Sequence, residues 1–146
     1  MRNLKREMGM FGLFKSKKKP ARAKILVVDD EPDFVSTIQC RLEWCHYEVI
    51  TAATGEEGLE KAEKEKPDLV LLDTSMPIMN GHEMLERLRK HADLKDIPVI
   101  MVTALCEAQD VATASSYGID DYVAKPFDFT ELLEKIVNAL KNKNFE

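Results

Sequence analysis

Two apolar runs of this chain end in acid: ILVV stops at Asp29 and Asp30, and LVLL stops at Asp73. A third, VIMVT, closes on the hydroxyl of Thr103, and a fourth, DYVA, is followed at once by Lys125. Three carboxylates, a hydroxyl and an ammonium form a set suited to cations and phosphate. A few carboxylate oxygens suit a hard divalent ion that keeps some of its waters, which favours Mg²⁺ over Ca²⁺ with its larger oxygen cage; zinc would want nitrogen or sulfur. A hydroxyl donor and an ammonium add nothing to a site meant only to hold a cation, but both suit phosphoryl oxygens. An aspartate placed among them is a ligand alone or a nucleophile, and aspartate nucleophiles form acyl phosphates.

Those residues need elements to carry them. From Ala23 onward short apolar runs alternate with longer amphipathic ones, the pattern of a parallel sheet wrapped by helices. Strands are expected at Lys24–Val28, Glu48–Ala52, Leu69–Leu72, Val99–Thr103 and Asp121–Ala124. The clearest helix is the last: Phe129, Leu132, Leu133, Ile136, Val137 and Leu140 follow the spacing of one helical stripe, opened by Asp128 with Glu131 three residues on. The same spacing predicts a first helix from about Pro32 to Cys45 through Phe34, Ile38 and Leu42. A second opens at Thr54 with Glu57 behind it, and a third, near Gly81 to His91, buries Met84, Leu85 and Leu88. A fourth helical segment, near Glu107 to Ser116, offers only Val111 as a large apolar residue, so its hold on a core is weak and it suits a moving part or a plain surface helix.

Five β-α units joined by right-handed crossovers commonly adopt the strand order 2-1-3-4-5, the flavodoxin-like, doubly wound α/β arrangement, whose sites lie beyond the carboxyl ends of the strands. In that order Asp29 and Asp30 face Asp73 across neighbouring strands about 5 Å apart, with Thr103 on the other flank and Lys125 one strand further. Two carboxylates at 4 Å repel by about 4 kcal/mol at an effective dielectric of 20. One lysine cannot balance three acids, so a cation or protons must sit among them.

The chain has 146 residues, enough for one domain with a real core. Its net charge of −5 is unevenly spread. Residues 1–24 carry nine basic groups against Glu7, and the remainder is strongly acidic. The expected division is a basic, disordered arm over 1–22, a folded body over 23–142 and a short tail over 143–146. Within the arm, MGMFGLF beside KSKKKPARAK also has the composition of a small membrane foot, a lesser reading than a solvated tail, and is too short to span a bilayer or serve as a secretory signal. Cys40, Cys45 and Cys106 form no CxxC pair and read as reduced thiols of a cytoplasmic protein. His46, His82 and His91 lack zinc-ligand spacing.

In "ILVVDDEP", "LVLLDTSMPIMNG", "VIMVTA" and "DDYVAKPF", taken in this order, the chain from about Lys24 to Lys141 resembles a response-regulator receiver domain of two-component signalling. The resemblance implies that Asp73 is phosphorylated by a sensor histidine kinase or a histidine phosphotransfer protein. It implies that Asp29, Asp30, Asp73 and the backbone carbonyl of Ser75 hold Mg²⁺, Asp30 directly and Asp29 through water. Thr103 and Lys125 would bind phosphoryl oxygens, Tyr122 would be the aromatic switch partner of Thr103, and the Lys125–Pro126 bond would be cis. Such a domain is a signalling phosphoacceptor rather than an enzyme, catalysing only its own phosphorylation and dephosphorylation.

Competing readings are weighed on the same residues. Glu31 reads as a first-turn helix acid rather than a ligand, and Met76, Pro77, Ile78 and Met79 as a covering loop or part of a docking surface. A dehalogenase-type phosphatase would need a second acid where Ser75 stands, and an FMN site would need a phosphate loop where DDEP stands. A degenerate receiver that only binds proteins remains the alternative. Six residues follow Leu140 and an acidic body repels DNA, so the expectation is a stand-alone receiver with a downstream protein target and no nucleic-acid partner.

Overall fold

The computed structural model describes residues 21–104 and 118–144; the expected fourth helical segment and nearly all of the basic arm lie outside these. Five strands, β1 (Lys24–Val28), β2 (Glu48–Ala52), β3 (Leu69–Asp73), β4 (Val99–Thr103) and β5 (Asp121–Ala124), form one parallel sheet in the order β2-β1-β3-β4-β5, as expected. Described helices are α1 (Pro32–Trp44), α2 (Gly55–Glu65), α3 (Gly81–Lys90) and α4 (Phe129–Asn144).

Alternation along the strands sorts the core into two layers. Leu26, Val28, Val70, Leu72, Val99 and Met101 point to the face covered by α2 and α3, where Ala62, Met84, Leu85 and Leu88 meet them. Ile25, Val27, Leu69, Leu71, Ile100 and Val102 point to the other, under Ile38 and Leu42 of α1 and Leu132, Ile136 and Ala139 of α4. Every residue of β3 and β4 is buried. The central strands are therefore the stiffest part of the molecule. The stripe read along α4 is partly revised: Val137 is only partly buried, and the small Ala139 takes a place in the core beside Leu132 and Ile136.

Local chemistry ends the helices where the sequence suggests. Thr54 Oγ1 accepts from Glu57 N at 3.0 Å, while Glu57 Oε1 accepts from Ala53 N at 2.8 Å. A full capping box, in which Asn80 and Glu83 exchange side-chain and backbone bonds, opens α3; its N-x-x-E spacing is plain in the sequence once the helix start is known. At the other end of α3, the Arg89 guanidinium donates to the carbonyls of Lys95, Ile97 and Gly118, tying the approaches to β4 and β5 together.

The loop from Thr74 to Asn80 is pinned at two points. Met76 and Met79 are buried in the α2/α3-side core, with Met79 set against Gly55, where any added Cβ would crowd its sulfur. Between them Ile78 is left 98% exposed at φ 69°, a left-handed conformation that a β-branched residue adopts at a cost of about 1–2 kcal/mol. Ile78→Asn is expected to stabilise the domain by about 1 kcal/mol in urea unfolding, because asparagine tolerates that region and no buried contact is lost; unchanged or reduced stability would show that the exposed side chain holds the loop.

Candidate functional site

The hydrogen-bond ladder of the sheet continues one residue past the apolar runs, and this places the polar side chains. Asp29 N donates to Ala52 O at 3.1 Å, Thr74 N to Val102 O at 3.0 Å, and Lys125 N to Thr103 O at 2.6 Å. Asp73 itself is the last residue of β3, opposite Val102. Backbone positions at this edge are thus held by the same bonds that hold the core. Asp29, Asp73 and Thr103 are 2%, 4% and 4% exposed, whereas Asp30 faces solvent.

The three expected aspartates converge, each offering one carboxylate oxygen within 4.8 Å of the others. Lys125 reaches the same place: its Nζ lies 3.0 Å from Asp29 Oδ2 and 3.9 Å from Asp73 Oδ1. Thr103 closes β4 beside them, paired with Ala124. Tyr122 sits half-buried in β5 against the α2/α3-side core, with Lys135 Nζ 5.8 Å from its ring centre. Ser75 follows on the exposed loop, and its backbone N–H bonds the Asp73 carboxylate. The Lys125–Pro126 peptide is cis.

One partner of Lys125 was not read from the sequence. Glu31 occupies the N-cap position of α1 but makes no capping bond; its Oε1 accepts from Lys125 Nζ at 2.8 Å. The expectation of a plain first-turn acid is corrected accordingly. Glu31 lies beside Asp30 in the chain, yet its carboxylate is paired by Lys125, which follows a strand three places away in the sheet, so no local signal could reveal the pair.

Electrostatics follow from this crowding. Burial pushes the Asp73 carboxyl up to about 6, the negative charges of Asp29 and Asp30 push the same way, and Lys125 and the Ser75 N–H pull against them. Burial alone would lower the Lys125 ammonium, but hydrogen bonds to Glu31 and Asp29 and the charges of Asp29 and Asp73 hold it above the usual lysine range. The exposed Glu31 carboxyl is lowered by its bond to Lys125. One positive charge therefore faces four acids, three of which put hard oxygens around one point. That donor set fits a small divalent oxygen-seeking cation and offers no nitrogen or sulfur to a softer metal.

Helix α3 adds a steric constraint. Gly81 packs so closely under the end of β3 that a Cβ there would overlap the Asp73 carbonyl oxygen, backbone that cannot swing aside. Gly81→Ala is expected to destabilise the domain by about 2 kcal/mol and to weaken cation binding together with it; chemical unfolding and a metal titration check this, and a variant of wild-type stability would remove the constraint.

A pH dependence also follows. An unfolded aspartate titrates near 3.9, and Asp73 in the fold near 6, so the native state holds its proton more tightly. This stabilising difference is complete below about pH 4 and is lost as pH rises through about 6, a change on the order of 3 kcal/mol. Urea unfolding of chelator-treated protein is expected to show that decline for the wild type and to lose it in Asp73→Asn; parallel curves would contradict the assignment.

Among the described residues no helix is long and apolar enough to cross a membrane. Residues 25–137 match the family described as response regulator receiver domain. A probable transcriptional regulator, ycf27, of Pyropia yezoensis is 46% identical over 120 residues, covering 82% of this chain and 48% of its own length. The DNA-binding dual master transcriptional regulator RpaA of a Synechocystis species is 38% identical over 118 residues, 81% of this chain and 49% of its own. A solved receiver domain protein, CheY-like, from Methanospirillum hungatei superposes with a TM-score of 0.79 at 35% identity, covering 86% of this chain and 98% of that one. The chain thus spans about half the length of the curated relatives it matches. These relatives overturn the expectation of a stand-alone receiver with no nucleic-acid partner: regulators of transcription, one of them DNA-binding by name, carry this same body. The acidity behind that expectation measures only the surface of the body, and a receiver's own charge does not decide what the protein that contains it binds. With four motifs, the strand order and the acid cluster agreeing, the chain belongs to the response-regulator receiver domain family, the signalling domains of two-component systems.

Proposed function

We propose that Asp73 is the phosphoacceptor of this receiver and takes its phosphoryl group from the phosphohistidine of a sensor kinase or phosphotransfer protein. The observation that carries this reading is the cluster in which Asp29, Asp30 and Asp73 bring their oxygens within 4.8 Å while Lys125 stands 3.9 Å from Asp73. Asp29, Asp30, Asp73 and the carbonyl of Ser75 would hold Mg²⁺, which when bound neutralises charge on the transferred group. Asp30, the exposed acid, suits direct ligation; Asp29 already accepts from Glu31 N through Oδ1 and from Lys125 through Oδ2, which suits a contact through water.

The chain's own residues supply positioning. A carboxylate oxygen of Asp73 attacks phosphorus in line with the phosphorus–nitrogen bond of the donor imidazole; that bond breaks and its electron pair returns to the ring. Rigidity of β3 keeps the nucleophile from drifting, and the ammonium of Lys125 and the hydroxyl of Thr103 receive the phosphoryl oxygens. Drawing the Thr103 hydroxyl to the new group opens space beside Tyr122, so Thr103 and Tyr122 report the modification to the surface near β5. The shift is limited to the difference in phosphoryl binding between the two arrangements. A degenerate receiver would lack part of this set, whereas this chain carries Asp29, Asp30, Asp73, Thr103 and Lys125 at the carboxyl ends of its strands, which supports the phosphoacceptor reading.

Incubation of the full chain with a labelled phosphohistidine donor and Mg²⁺ is expected to yield an alkali-labile acyl phosphate, lost in Asp73→Asn and suppressed by chelation. Full labelling of the variant would overturn the assignment of Asp73, and labelling indifferent to chelation would overturn the role of the cation.

A further inference from the structure

The Lys125 ammonium is nearer to Glu31, at 2.8 Å, and Asp29, at 3.0 Å, than to Asp73, at 3.9 Å. Its remaining side faces the ring of Phe34, 4.2 Å from the centroid, and Phe34 is itself braced edge-on by Phe127 at 6.0 Å. An ammonium has three protons to donate. With two directed at Glu31 and Asp29 and an aromatic face beside it, the group occupies a defined seat offset from Asp73.

Glu31 is arranged to make that seat. It stands at the N-cap position of α1, where a side chain would ordinarily accept from the first turn, yet it makes no such bond and reaches Lys125 instead. Its backbone N–H meanwhile donates to Asp29 Oδ1 at 2.9 Å. One residue thus orients Asp29 from the main chain and holds Lys125 with its side chain.

We propose that Glu31 is a positioning residue that parks Lys125 away from Asp73, leaving the space among Asp29, Asp30 and Asp73 open to a divalent cation until a phosphoryl group draws the lysine across. This inference rests on the phosphoacceptor reading of the same site. Without the Glu31 carboxylate, the acids left within 4 Å of the ammonium among the described residues are Asp29 and Asp73, and both contribute oxygens to the cation cluster. Lysine and cation then compete for the same acids. An incoming phosphoryl group carries more negative charge than one carboxylate, so it can take the lysine from Glu31, whose own charge is 63% exposed and screened.

The test is a double-mutant cycle on Mg²⁺ affinity, measured by titration calorimetry on the full chain at low ionic strength with wild type, Glu31→Gln, Lys125→Ala and the double variant. Glu60→Gln serves as a remote control for the loss of one charge. Glu31→Gln is expected to weaken Mg²⁺ binding about threefold when Lys125 is present and by little more than the control when it is absent. An equal effect in both backgrounds, as a plain charge or a direct ligand would give, overturns the proposal, as does no effect in either. A wild-type chain that binds no Mg²⁺ instead brings down the underlying reading of the cluster, a result the cycle separates from failure of Glu31 alone.

Discussion

Three carboxylates cannot share a few ångströms of sheet edge unless something holds them there, and in this protein the holder is the sheet. β1 and β3 are hydrogen-bonded neighbours in parallel register, Val28 opposite Leu72, so the residues that follow them are forced side by side. Repulsion among those acids is a cost that the apolar layers on both faces offset. The site is thus a small store of unfavourable negative charge, mounted on the central strands of the fold, and it favours a cation that relieves it.

The surroundings keep that arrangement from relaxing. Ladder bonds continue past the strands to Asp29, Thr74 and Lys125, and Gly81 lets α3 press against the backbone of Asp73. Met76 and Met79 clamp the loop that carries Ser75. Lys125 is the compensating element, and its long stem lets it serve Asp29 and Glu31 while remaining within reach of Asp73. A carboxylate fixed at the end of a buried strand thus stands beside an ammonium that is shared among three acids.

Much of this was legible in the chain because it depends on short-range pattern. Runs such as LVLL and VIMVT mark strands buried on both faces, and the order of β-α units implies which ends are neighbours. Asp29, Asp30, Asp73, Thr103 and Lys125 could therefore be brought to one edge before any coordinate was known. Pairing across distant segments was not legible. Glu31 looks like a helix acid until Lys125 is placed 94 residues later, and Val137 looks like core until the smaller Ala139 is seen to take a place there. Ile78 is ordinary in sequence and strained in the fold, because its two neighbouring methionines dictate its backbone. The output partner was misjudged for a different reason, since net charge describes the surface of one domain and carries no information about the longer proteins in which that domain recurs.

The crowding of acids around Asp73 can be observed directly by following its side-chain carboxyl carbon by NMR as a function of pH in metal-free protein and again in excess Mg²⁺. The account predicts titration near 6 without metal and a fall to the ordinary aspartate range of about 4 or lower with it. A carboxyl that titrates as an ordinary aspartate in both samples, indifferent to the ion, would contradict it.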